Sequence, residues 1–248
     1  MDLTRTLGPV CFFDSGTGGL NLTYECRKRL PDMKFIYFAD NYNVPYGSMP
    51  DAKILNAVEK VFLKIQEYEP SAAVIACNTV TAKCATYLRK KFSFPIIGIQ
   101  PAVKPAAQCG ARCVVLATPV TAASAEVNDL VQNYGNNRTQ VVACPDLAAY
   151  IERNIFCLDD SRIIELLPKI KADSIVLGCT HYIFIEEQVK NYYNCPVFDG
   201  ISGTAARLCS VLGKTDHQND NHCDFLNNIA FIGGDEVKNR RVFELLCS

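Results

Sequence analysis

The sequence predicts an α/β protein: two similar α/β domains with mainly parallel sheets, related by a pseudo-twofold axis, with the active site in the cleft between them. Two observations predict the fold and a third locates the site. Short apolar runs of four to six residues, rich in Val, Ile and Phe, alternate with longer segments of helical period. Strands of a parallel sheet, buried on both faces and joined by crossover helices, read in this way. The runs also recur in the same order at a nearly constant offset, as in a duplicated chain. Finally, the residues just past the runs are polar or nucleophilic, and open parallel sheets bind ligands beyond the carboxyl ends of their strands.

The first run, Val10–Phe13, leads into DSGTGGL, a Gly-rich turn able to cradle an anion, with a helix from about Leu20. Phe35–Phe38 is the second and stops before Asp40. After Pro50, the residues Ile54, Val58, Val61, Phe62 and Ile65 share one helical face, and Pro70 ends that helix. Ala73–Ala76 then runs into Cys77, Asn78 and Thr79, and Ile96–Ile99 closes the first set. The second set is Cys113–Leu116 before Thr118, Val141–Ala143 before Asp146, Ser174–Leu177 before Cys179, Thr180 and His181, and then Pro196–Phe198. Cys11 and Cys113 lie 102 positions apart, Cys77 and Cys179 again 102, and Pro95 and Pro196 101. A ninth run, Ile229–Ile232, has no counterpart, so the chain is expected to return to its first part. The expected domains are 1–99 plus 208–248, and 100–207.

With 248 residues, 49% of them hydrophobic, the chain can bury a real core. Its 25 basic and 26 acidic residues leave a net charge of −1, so no global positive field recruits nucleic acid or an anionic membrane. No segment reaches the roughly 18 apolar residues of a membrane span, and the N-terminal apolar run is too short for a signal-peptide core. The thirteen cysteines are odd in number, include no CxxC, and sit largely inside apolar runs, where a thiol behaves as a small hydrophobe. These features point to a reducing cytoplasm and a small-molecule partner, with a homodimer left open.

Cys77 and Cys179 differ from the other cysteines, because each ends a run beside a threonine and each matches the other across the repeat. A cysteine between a strand and a helix start meets backbone N–H groups and the helix dipole, which lower a thiol pKa from about 8.5. Two such thiols on opposite sides of one carbon can remove a proton from one face and deliver it to the other. Cys11 and Cys113 lie inside their runs and read as core. His181 can polarise the nearby thiol or carry a proton. His217 and His222, with Cys223 and Asp224, have weak metal-ligand spacing and read as a solvated loop. Two rival readings are a thiol hydrolase using Cys179 and His181, which leaves Cys77 idle, and a two-lobed amino-acid binding protein.

The motifs FDSGTGGL, VPYG (Val44–Gly47), ACNT (Ala76–Thr79), ATPVT (Ala117–Thr121), CPDLAAYIE (Cys144–Glu152) and LGCTHY (Leu177–Tyr182) stand in one order along nearly the whole chain. In this the sequence resembles the glutamate racemases of the cofactor-independent aspartate/glutamate racemase superfamily. The resemblance implies interconversion of L- and D-glutamate for cell-wall peptidoglycan, with no pyridoxal phosphate, other cofactor or metal. It implies Cys77 as the base for the D-enantiomer and Cys179 for the L-enantiomer, with Asp14, His181 and Glu152 assisting catalysis. It further implies that Asp14, Ser15, Asn78, Thr79, Thr118, Thr121, Thr180, His181 and the Tyr46–Gly47 backbone bind the amino acid. The aspartate branch carries an acidic residue where His181 stands, which favours glutamate over an aspartate or broad-specificity reaction. Asn41, Asn43, Ile183 and Phe184 depart from the usual pattern, and bear on substrate preference and cleft packing.

Overall fold

The computed structural model of the chain describes residues 8–44, 46–215 and 226–248. The polar stretch with His217, His222, Cys223 and Asp224 lies outside them. In chain order the first part is β1 (Val10–Asp14), α1 (Leu20–Arg29), β2 (Phe35–Ala39), α2 (Asp51–Glu67), β3 (Ala72–Ile75), α3 (Asn78–Lys91) and β4 (Ile96–Gly98). The second is α4 (Val103–Cys109), β5 (Cys113–Ala117), α5 (Pro119–Ala122), α6 (Ala125–Tyr134), β6 (Gln140–Ala143), α7 (Leu147–Asn154), α8 (Asp160–Leu166), β7 (Ser174–Gly178), α9 (Glu186–Tyr193) and β8 (Val197–Phe198). The chain then ends with α10 (Ile201–Val211), β9 (Ile229–Ile232) and α11 (Glu236–Cys247). Each run expected to be a strand is one, within a residue at either end.

All strand pairs are parallel. The first sheet has the order β4-β3-β1-β2-β9, and the second, β6-β5-β7-β8, repeats the β4-β3-β1-β2 part when read from β8. The duplication seen in the sequence is thus a duplication of topology, and β9 is the extra strand, paired with β2 in the first sheet.

Alternation along the strands explains why each run is apolar throughout. Val10 and Phe12 of β1 join the core that holds Leu20, Leu22 and Cys26 of α1. Cys11 and Phe13 enter the opposite core, with Ile54, Val58, Phe62 and Ile65 of α2. Phe62 packs edge-on against Phe13, ring centroids 6.1 Å apart, and lies 5.7 Å from Phe92. Cys11 and Cys113 are fully buried in β1 and β5, as core residues. The twelve described cysteines are all free thiols.

Helix α10 packs on α1, placing Ala205, Leu208 and Cys209 in the core of the first sheet, and Arg29 donates a hydrogen bond to Ser202. Residues 201–207, expected with the second half, therefore lie against the first. Ile155 and Phe184 pack against the cores of both sheets and join the halves apolarly. No helix among the described residues is long and apolar enough to cross a membrane.

Candidate active site

The strand ends of β1, β3, β5 and β7 and the turn before α2 converge on one buried group of side chains. Asp14, the last residue of β1, is fully buried, and its carboxylate accepts from Gly16 N–H at 2.8 Å and from the Thr180 hydroxyl at 3.2 Å. Burial raises its pKa, with Glu152 adding to the effect and His181 opposing it. Cys77 follows β3 in extended conformation as the N-cap of α3, with Ser15 Oγ 3.8 Å from its sulfur. Its thiol titrates well above the ordinary value, chiefly because it is buried and next because of the Asp14 charge; the Val80 N–H at the helix start pulls the other way. The helix-start effect expected from sequence is present and is outweighed by desolvation. Cys77 is also coupled electrostatically to Cys179, so the two thiols share one neighbourhood.

Cys179 follows β7 directly and caps a single 3₁₀ stretch, Thr180–Ile185. Its sulfur is 3.8 Å from His181 Nδ1, and His181 Nε2 is 2.7 Å from Glu152 Oε2. Glu152, on α7, is only 3% exposed and collects donors from across the cleft. Thr17 gives it a backbone N–H at 2.8 Å and a hydroxyl at 2.6 Å, Asn41 an amide at 3.1 Å, and Lys238 its ammonium at 2.7 Å. Burial alone would raise the Glu152 pKa, but His181, Lys238 and Thr17 together hold it below the usual carboxylate range. For His181 burial disfavours the charge, yet Cys179 and Glu152 prevail and raise its pKa well above 6.5. A thiol, an imidazole and a carboxylate thus form a hydrogen-bonded row able to store and pass a proton.

The remaining expected residues form a second group beside Cys77. The hydroxyls of Thr79, Thr118 and Thr121 lie 2.9–3.1 Å from one another, joining the start of α3 to the start of α5. Asn78 is buried at the first position of α3. Gly47 sits so close to the second half that a Cβ would lie 2.4 Å from Thr118 Cβ, and at Gly18 one would lie 2.6 Å from Thr180 Oγ1. Only glycine permits these approaches. The Tyr46 hydroxyl donates to Asp40 at 2.5 Å. Of the two Asn departures, Asn41 reaches Glu152 and Asn43 donates to Asp40. Asp146, the N-cap of α7, is exposed and stays outside the group. Sequence reasoning did not single out Thr17 or Lys238. Thr17 was visible inside DSGTGGL, whereas Lys238 carries no local signal.

The Asp/Glu/hydantoin racemase family matches residues 21–208. The chain is 38% identical over 229 residues to the glutamate racemase of Clostridium novyi, covering 86% of each, and 35% identical over 221 residues to that of Campylobacter curvus, covering 83% of each. Among solved structures it is similar to Escherichia coli glutamate racemase in complex with L-glutamate and the activator UDP-MurNAc-ala, with a TM-score of 0.78, 28% identity and 95% of each chain covered. The Campylobacter jejuni glutamate racemase, 22% identical with a TM-score of 0.79 over 96% of this chain and 98% of that one, shares the fold. The paired strand-end cysteines, the topology that repeats around them and these relatives lead to one conclusion: the chain belongs to the Asp/Glu/hydantoin racemase family and is an isomerase.

Proposed function

We propose that the chain interconverts L- and D-glutamate by two-base proton transfer between Cys77 and Cys179, and that in the cytoplasm it supplies D-glutamate for peptidoglycan. The observation that carries this reading is the pair of matched thiols, each at a strand end of its own sheet and each with a carboxylate at hand, Asp14 for one and Glu152 through His181 for the other. Residues 1–99 with the C-terminal return, and the segment between them, are on this reading the two domains that enclose the substrate.

From L-glutamate, the Cys179 thiolate takes the Cα proton, so that the Cα–H bond breaks and an S–H bond forms. The Cys77 thiol then delivers its own proton to the opposite face, giving D-glutamate and a Cys77 thiolate. The reverse reaction exchanges the roles. Burial keeps Cys77 protonated and ready to donate; for abstraction from the D-enantiomer, the substrate ammonium supplies the positive charge that a buried thiolate needs. The two carboxylates stand in opposed environments, Asp14 with its pKa pushed up by burial and Glu152 with its pKa held down by its donors. Ser15, Asn78, Thr79, Thr118, Thr121, Thr180 and the Tyr46–Gly47 backbone supply the neutral donors that fix the substrate's carboxylates. Ile183 and Phe184 act on the packing behind the cleft rather than on the substrate.

The test is optical. Purified protein given either enantiomer, with no added cofactor, should bring the circular dichroism of glutamate to zero, and in D₂O the product should carry deuterium at Cα. A need for pyridoxal phosphate, loss of activity in EDTA, or faster turnover of aspartate at saturation would overturn the reading.

A further inference from the structure

Glu152 is held more firmly than a partner for one histidine requires. Its Oε2 accepts from Thr17 twice and faces His181, while Oε1 accepts from Asn41 and Lys238, so both oxygens are occupied from several directions. Lys238 also donates to the Glu152 backbone carbonyl at 2.6 Å, gripping main chain and side chain together. Asn41 is itself fixed, because its Oδ1 accepts from Asp235 N–H and from the Asn239 amide, each at 3.1 Å, which turns its NH₂ toward Glu152. Asp235, Lys238 and Asn239 all belong to the start of α11, the helix that follows the unduplicated strand β9.

The other thiol has no such support. Asp14 accepts from Gly16 N–H and Thr180, and no lysine or arginine among the described residues bonds to it. Among the described residues the second sheet has no strand corresponding to β9. Among the described residues, the C-terminal return therefore supplies a cation to the carboxylate that serves Cys179 and none to the one beside Cys77. An ammonium–carboxylate hydrogen bond in a buried setting is of the strong, charge-assisted kind, and it fixes orientation as well as charge.

We propose that Lys238 is a positioning residue: by clamping Glu152 it holds His181 against Cys179, so that proton transfer at Cys179, and not at Cys77, depends on the C-terminal helix. The inference rests on the two-thiol glutamate reading. Because the equilibrium constant of a racemisation is one, loss of the clamp must lower kcat/KM equally in both directions. Isotope effects, in contrast, report which transfer has slowed.

The experiment compares wild type, Lys238→Met and Lys238→Arg on L- and D-glutamate, protiated and deuterated at Cα. Lys238→Met should lower kcat by about 10- to 100-fold. Its substrate isotope effect should rise from the L side, where Cys179 abstracts, and fall from the D side, where the solvent isotope effect should rise instead. Lys238→Arg, which keeps the charge, should regain much of the loss. A Lys238→Met enzyme with wild-type turnover, or with slower turnover and unchanged isotope effects in both directions, overturns the proposal, and in the second case Lys238 is merely structural. Should Lys238→Met not fold, the turnover and isotope effects of Lys238→Gln decide by the same criteria. A wild type inert toward both enantiomers overturns the glutamate reading itself, and the inference with it; that result appears before any variant is made.

Discussion

Cys77 and Cys179 are the same chemical group in unequal surroundings, one beside a buried aspartate and the other beside an imidazole. Serine is a far weaker base than cysteine, and on the proposed mechanism both transfers are needed for inversion. Cys77→Ser and Cys179→Ser should each lower turnover in both directions by about 10²- to 10⁴-fold. Residual exchange of the Cα proton with D₂O should be confined to L-glutamate in Cys77→Ala and to D-glutamate in Cys179→Ala; near-normal racemisation by Cys77→Ala would leave a single-nucleophile site instead. The Glu152–His181 pair makes a pH prediction. Glu152, with its pKa lowered from 4.5, contributes stability that is present above that value and lost as pH falls through the folded one. His181, raised from 6.5, contributes stability that is full below 6.5 and lost as pH rises through its folded value. Glu152→Gln should therefore cost most stability between pH 4.5 and 6.5, with a flatter fall on either side, as read from denaturation midpoints across pH. A uniform loss at every pH would remove the ionic part of the account.

Helix α2 shows how an element is decided by its pattern. Its buried residues Ile54, Val58, Phe62 and Ile65 recur at helical spacing, and the chain leaves the helix through Tyr68 and Glu69, the latter at φ 47°, just before Pro70. Phe62 meets rings from β1 and from the end of α3, so Phe62→Ala should cost about 3–5 kcal/mol in a chemical denaturation, with the slope unchanged. A loss under about 1 kcal/mol would mean that the site collapses around the gap. Elements of this kind were legible because burial on a regular lattice writes itself into the sequence with period 2 or 3.6. Cys77, Cys179 and Asp14 were legible for a related reason, since the end of a buried strand is marked by where the apolar run stops. Lys238 was not. It stands on an amphipathic helix among other charged residues, and what sets it apart is a partner 86 positions away, a relation that no local pattern contains. The fall of the helix-start effect on Cys77 behind desolvation was equally invisible, because a spacing shows that a cysteine caps a helix but not how deeply the cap is buried.

At the scale of the whole molecule the site is a seam, stitched by Thr17, Asn41 and Lys238 on one side and Glu152 on the other, with Phe184 and Ile155 packed behind. A ligand bound in such a seam stabilises both halves together. L- and D-glutamate should each raise the unfolding free energy, by about 2.7 kcal/mol at roughly 100 times Kd, and thermal melts with Cys77→Ala Cys179→Ala protein would show it without turnover. An enantiomer that left the melt unmoved would contradict a site open to both faces of Cα. The path of the chain has one more effect, on the order of events during synthesis. Phe35 pairs with Ile229, so the first sheet stays one strand short until almost all the chain has left the ribosome, while the second sheet, continuous from β5 to β8, is already complete. Both thiols exist by residue 179, and the proposed clamp arrives only with residue 238. On the proposed mechanism, a growing chain thus carries both thiols for some time before α11 can align them, and catalytic competence waits for that helix.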